Sequence, residues 1–175
     1  MNSLLIMGYN SFDLGVFNEK DLKVSVIKKA VRKKLISFLE EGLQWLIFTG
    51  NLGFEYWALE VAKELQIDYE FQIGTIFAFE NQGKNWNEAN QIKLASFKQV
   101  DFVKYAYETY ENPSQFRQYN DFLLENTEAA FVFYDEENET KLKYMIEKMR
   151  NTADYDIYFL NFEDLQETFE EMSEE

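Results

Sequence analysis

The chain has 175 residues, a net charge of −15, one proline, seven glycines, and neither cysteine nor histidine. That length suits one domain with a sizeable core, and 46% apolar residues with 18% aromatics argue against disorder. The missing residue types exclude disulfides, thiolate nucleophiles, histidine triads and imidazole metal ligands, so acid–base chemistry falls to Asp, Glu, Lys or Tyr.

Residues 4–7 are a short apolar run closed by Gly8, as in a strand covered on both faces. Over 20–41, Val24, Ile27, Val31, Leu35, Phe38 and Leu39 recur at spacings of three and four, which predicts an amphipathic helix ended by Gly42. Residues 45–48 read as a second buried strand. Thr49-Gly50-Asn51-Leu52-Gly53 then turns into a helix reaching about residue 65. Strands follow at 69–79, 102–107, 129–134 and 157–160, with helices at 87–99, 114–126 and 139–150 between them. Pro113, between Asn112 and Ser114, suits a turn leading into a capped helix. Strict alternation predicts an α/β fold in a single domain over 1–175. Its sheet should be doubly wound and mainly parallel, with helices on both faces. The acidic end, from about residue 162, reads as a solvated helix that frays.

The charge is uneven: residues 1–50 hold seven basic and five acidic side chains, net +2, leaving −17 for residues 51–175. Such an acidic chain is unsuited to a broad nucleic-acid face. Lys28, Lys29, Arg32, Lys33 and Lys34 lie opposite the apolar stripe of the first helix, the ordinary place for surface charges; an anionic partner is the alternative. No apolar run reaches the roughly 18 residues of a membrane span, and the amino terminus lacks the basic region of a signal peptide. The expected location is the cytoplasm.

In a doubly wound sheet, ligands bind beyond the carboxyl ends of the strands, where strand order reverses. The turns after strands one and two are therefore the candidates. In the second, Thr49, Gly50 and Gly53 would let a ligand approach the backbone at a helix start, where free N–H groups favour a phosphate. Glu55, in the first turn of that helix, would accept from a ribose hydroxyl or simply favour the positive helix end. In the first turn, Gly8, Asn10 and Ser11 would flank the ligand. Further along, Lys84 would meet a phosphate and Trp86 would stack a base. Arg117 and Asn120, three apart on the helix after Pro113, share a face that would reach the crevice. Each has a structural alternative: a tight turn, a covering loop or a solvated face.

Gly8-Tyr9, Leu14-Gly15-Val16-Phe17, residues 49–57 (TGNLGFEYW), Lys84-Asn85-Trp86 and residues 114–120 (SQFRQYN), in this order, resemble the YpsA family of Firmicutes. The likeness extends through Tyr134-Asp135 and Lys143-Tyr144-Met145 to the acidic end. That family belongs to the SLOG superfamily of Rossmann-like folds, named for the Smf/DprA and LOG proteins. The resemblance implies a regulatory protein that binds a nucleotide-derived ligand, of the NAD or ADP-ribose kind, with links to cell division and stress responses. Residue by residue it points to Gly53 and Glu55 first, then Trp57, Trp86 and Asn120. LOG phosphoribohydrolases carry a proline-preceded, glycine-richer loop with threonine and paired glutamates. Asn51-Leu52 and a single Glu55 stand here instead.

Two further functions stay open at this point: hydrolysis of a nucleotide N-glycosidic bond, with Glu55 as the catalytic carboxylate, and a protein-interaction module without ligand. Hydrolysis of that kind would want a second carboxylate, from Asp13 or Asp135, about 5–9.5 Å from Glu55. No cofactor or metal is required by any of these readings. The partners to consider are the nucleotide-derived molecule, a cell-division protein and a second copy of the chain.

Overall fold

A computed structural model describes all of residues 1–175. Six strands, β1 (Ser3–Gly8), β2 (Trp45–Phe48), β3 (Gln72–Phe79), β4 (Phe102–Tyr107), β5 (Ala129–Phe133) and β6 (Asp156–Leu160), form one sheet in the order β4-β3-β2-β1-β5-β6. Every neighbouring pair is parallel. The six helices are α1 (Leu22–Glu40), α2 (Phe54–Leu65), α3 (Glu88–Lys98), α4 (Ser114–Glu125), α5 (Leu142–Arg150) and α6 (Phe162–Ser173). Right-handed crossovers place α1, α2 and α3 on one face of the sheet. The reversal after β4 sends α4 and α5 to the other face, and α6 returns to lie along α1. This is a Rossmann-like, doubly wound α/β fold, as the alternating pattern predicts.

The strands differ as their positions require. All five residues of the interior strand β5 are buried, whereas edge strand β4 leaves Phe102 and Lys104 exposed. Phe54 and Trp57 of α2 are fully buried, with Phe54 set edge-on to Phe131 and Phe133 of the sheet. Truncating either to alanine should cost about 3–5 kcal/mol.

The strand order reverses between β1 and β5, and the protein fills that crevice itself. Tyr9, fully buried, packs edge-on to Phe133 and stacks beside Tyr134 and Phe162. Its hydroxyl accepts from the Asp135 N–H at 2.7 Å and donates to the Asn138 carbonyl at 2.7 Å. The reversal thus lies one strand away from the β1–β2 gap on which the sequence concentrates its glycine turns.

Two charged surfaces complete the fold. The acidic end forms a helix, as expected, and α6 opens with a reciprocal cap in which Asn161 accepts from the Asp164 N–H and Asp164 from the Asn161 N–H, both at 2.9 Å. The basic face of α1 is neutralised within the chain. Lys28 pairs with Glu60 at 3.1 Å and Arg32 with Glu64 at 3.2 Å on α2, while Lys33 meets Glu171 at 3.5 Å and Lys29 meets Glu175 beyond α6. Exposed pairs of this kind contribute only about 0–1 kcal/mol each. They do leave little free positive charge for an anionic partner on that helix.

Candidate functional site

The turn between β2 and α2 is built around a buried carboxylate. Glu55, 2% exposed, accepts from the Thr49 N–H at 2.7 Å, from the Gly50 N–H at 3.2 Å and from the Thr49 hydroxyl. Asn51 Nδ2 donates to Thr49 Oγ1 at 3.0 Å, and Gln82 Nε2 donates to the Thr49 and Gly50 carbonyls at 3.2 and 3.1 Å. Burial pushes the Glu55 carboxyl up to about 7, against the opposing pull of the Thr49, Asn51 and Gly50 bonds. From α4, the buried Tyr119 donates its hydroxyl to the Ile76 carbonyl. Burial, with the nearby Glu55 charge, holds that phenol well above its ordinary range. Glu55 therefore shapes the turn from below, with both oxygens occupied by it.

Gly53 locks this turn to the preceding one. It sits at φ 84°, and a Cβ there would stand 2.7 Å from Asn10 Cα and 2.7 Å from the Ser11 nitrogen. Only glycine meets both conditions, the left-handed backbone and the close approach. The Phe54 N–H donates to the Tyr9 carbonyl at 3.0 Å, which ties the start of α2 to the end of β1. At Gly8 a Cβ would meet the Phe54 ring at 2.4 Å, and at Gly50 it would meet Phe77 at 2.3 Å. Close packing accounts for all three glycines, against backbone at Gly53 and against an aromatic ring at Gly8 and Gly50.

Above these two turns lies a cavity of about 670 Å³, within the range of small-molecule sites. Its walls are Asn10, Ser11 and Phe12 from the turn after β1, residues 16–20 from the approach to α1, Leu52 from the β2–α2 turn, and Asn87, Asn90 and Lys93 at the start of α3. Asn10 is fixed by exchange with Asp13: the Asp13 N–H donates to Asn10 Oδ1 at 2.8 Å and the Asn10 N–H to Asp13 Oδ2 at 3.3 Å. Glu19, in the wall, is bonded to Lys93 and accepts from Trp57 Nε1 at 2.9 Å. Fully buried Trp57 thus meets the cavity through Glu19. Lys20 and Lys93 outnumber Glu19, a local excess of positive charge on a strongly acidic chain.

A second cavity of about 670 Å³ opens at the ends of β5 and β6, with Asp135, Glu136 and Glu139 set against Lys143 and Arg150. Its surplus of carboxylates makes it the poorer receptor for an anion.

Of the residues the sequence singles out, Asn10 and Ser11 line the first cavity and Gly53 touches both from behind. Glu55, Thr49 and Gly50 form the support beneath. Lys84, Trp86, Arg117 and Asn120 are not in its wall. Lys84 is exposed, and half-buried Trp86 packs against the core beside Gly83. Arg117 is exposed and Asn120 half-buried on α4, across the sheet from the cavity. The carboxylates considered as partners for Glu55 have other bonds. Asp13 holds Asn10, while Asp135 accepts from the Glu137 N–H at 2.9 Å and the Phe162 N–H at 3.1 Å. Phe12, Phe17, Glu19 and Lys93 are additions from the structure. Only the two phenylalanines left a trace in the sequence, as large apolar residues in a polar loop outside any helical period.

A six-stranded, all-parallel, doubly wound sheet defines a Rossmann-like α/β protein. Residues 4–165 match the YspA SLOG family (YpsA), and the chain belongs to that family. It is 80% identical over 174 residues to the UPF0398 protein YfdB of Lactococcus lactis subsp. lactis (strain IL1403), covering 99% of this chain and 100% of that one. It is 59% identical over 170 residues to a UPF0398 protein of Streptococcus agalactiae serotype Ia, covering 97% and 99% of the two chains. A UPF0398 protein of Streptococcus thermophilus is 58% identical over 171 residues, with 98% and 100% covered. No helix is long and apolar enough to cross a membrane.

Proposed function

We propose that this protein is a regulatory module that binds a nucleotide-derived ligand, of the NAD or ADP-ribose kind, in the cavity over the β1 and β2 turns. The observation that carries this reading is the cavity wall itself. It joins the Asn10–Ser11 turn, braced by Gly53, to the start of α3 and two lysines, all at the carboxyl edge of a parallel sheet. Backbone N–H groups at a helix start and lysines are what a phosphate seeks, and 670 Å³ accommodates a nucleotide. Binding rather than hydrolysis is favoured because Glu55 is buried with its oxygens engaged by Thr49 and Gly50. Such a group holds a loop in shape; it does not reach a glycosidic bond. The cytoplasmic setting and the link to cell division or stress responses belong to this reading as its output, through a protein that reads the occupied state.

A thermal-shift screen with NAD, ADP-ribose and AMP tests it. A ligand at 100 times its dissociation constant adds about 2.7 kcal/mol of stability, a rise of roughly 5–11 °C for a chain of this size. An unchanged melting point with all three rejects the reading.

A further inference from the structure

Phe12 and Phe17 are 78% and 80% exposed, yet they are not on a loose segment. Phe12 opens a one-turn 3-10 helix (Phe12–Leu14) whose end is fixed by Gly15 at φ 65°. The Gly15 N–H donates to the Phe12 carbonyl at 3.1 Å, and the Leu14 and Val16 N–H groups both donate to the Ser11 carbonyl. Val16 is buried and Leu14 packs on the core, so the chain is pinned on both sides while the two rings are held out. They stand edge to face, with centroids 6.3 Å apart at 73°. Both line the cavity described above.

Two neighbouring phenylalanines held in solvent by a rigid turn contribute little to the fold, and paired exposed apolar rings mark a contact surface. The cavity lining is also mixed: beside the two rings it holds the polar Asn87 and Asn90 and the cationic Lys20 and Lys93. That combination suits a nucleotide, which carries both a flat heteroaromatic base and anionic phosphates. We propose that Phe12 and Phe17 are the base-recognition platform of this cavity: one ring stacks on the nucleobase and the other meets its edge. The assignment rests on the nucleotide reading and names which part of the ligand is read by which residues.

Isothermal titration with ADP-ribose and with ribose 5-phosphate tests it, using the wild type, Phe12→Ala, Phe17→Ala and the ring-conserving Phe12→Tyr and Phe17→Tyr. Stacking of a base on an aromatic ring corresponds to roughly 5- to 150-fold in affinity. Each alanine variant should lose that factor for ADP-ribose, while ribose 5-phosphate binding stays within about twofold and the tyrosine variants recover most of the loss. As an independent readout, Phe17→Trp should give emission quenched by ADP-ribose and not by ribose 5-phosphate, measured over the background of the native tryptophans. ADP-ribose binding unchanged in both alanine variants overturns the platform and leaves the nucleotide reading standing. Equal weakening for both ligands overturns it as well, since the rings would then shape the cavity as a whole. Failure of the wild type to bind either ligand removes both proposals together.

Discussion

Replacing Glu55 with Gln should abolish a stability change that the native protein undergoes between pH 4.5 and 8. The Glu55 carboxyl stands at about 7 in the fold against an ordinary value of 4.5, because burial disfavours its charge more than the Thr49, Asn51 and Gly50 bonds support it. A raised carboxyl favours the fold while it is protonated. Its contribution is complete below pH 4.5, declines as the unfolded chain ionises, and is lost once the pH passes about 7. At 1.36 kcal/mol per pH unit, the interval corresponds to about 3 kcal/mol. Glutamine cannot ionise, yet its oxygen can accept from the Thr49 and Gly50 N–H groups and its amide can donate to Thr49 Oγ1. Tyr119 stays protonated throughout, so it adds nothing to the slope. Urea unfolding of both proteins at pH 4.5, 6, 7 and 8 is the assay, read as the difference between them, which cancels the general effect of a −15 chain. The wild type should lose about 3 kcal/mol relative to Glu55→Gln across the series, or roughly 6–12 °C in melting temperature. Parallel curves would show that Glu55 titrates as an ordinary carboxylate and refute the burial argument.

The fold was legible because each element carried its own period and punctuation. The threefold and fourfold spacing of Val24, Ile27, Val31 and Leu35 identifies α1, and the uninterrupted apolar runs at β2 and β5 identify interior strands. What sequence could not give was the neighbour of β1. Strand order depends on where a crossover reverses, and the β4–α4–β5 connection resembles the others locally. The docking of α6 was hidden for a related reason: its acidic residues look solvated until α1 supplies Lys29 and Lys33 as partners from far away in the chain.

The candidate site was half legible. Asn10, Ser11 and Gly53 follow from turn chemistry, since a glycine before a helix and polar residues after a strand are local signals. Glu55 was visible as a residue and misleading as a position. A glutamate in a first helical turn normally points to water, and only the packing of α4 over the sheet, which brings Tyr119 close, reveals the burial. Trp57 and Glu19 are 38 residues apart, so no motif could pair them. Arg117 and Asn120 share a helical face as expected, but that helix crosses on the opposite side of the sheet.

Gly53→Ala should cost about 2–4 kcal/mol in chemical denaturation, because a left-handed φ and a 2.7 Å approach to the Asn10 and Ser11 backbone act together; a loss under 1 kcal/mol would mean that the two turns move apart freely. Trp86→Ala should cost about 2 kcal/mol, less than the 3–5 of a fully buried aromatic, since the ring is only half covered against the core; the intrinsic fluorescence of Trp45 and Trp57 during urea unfolding reads it, and no loss would make the ring a free surface group. Trp57→Phe and Glu19→Gln should be coupled. The indole N–H donates to Glu19 at 2.9 Å from a fully buried position, and Lys93 bonds the other oxygen, so the carboxylate is held between the core and the cavity wall. A hydrogen bond to a charged group contributes about 1.5–3 kcal/mol. Removing the indole donor forfeits that bond, and the charge on Glu19 then has only the half-buried lysine. Once Glu19 is already neutral, removing the donor should matter less, so the double variant should be more stable than the sum of the single losses by about 1 kcal/mol. Distant independent sites add within about 0.5 kcal/mol. Strict additivity would therefore show that Trp57 serves the core alone and has no hold on the cavity wall.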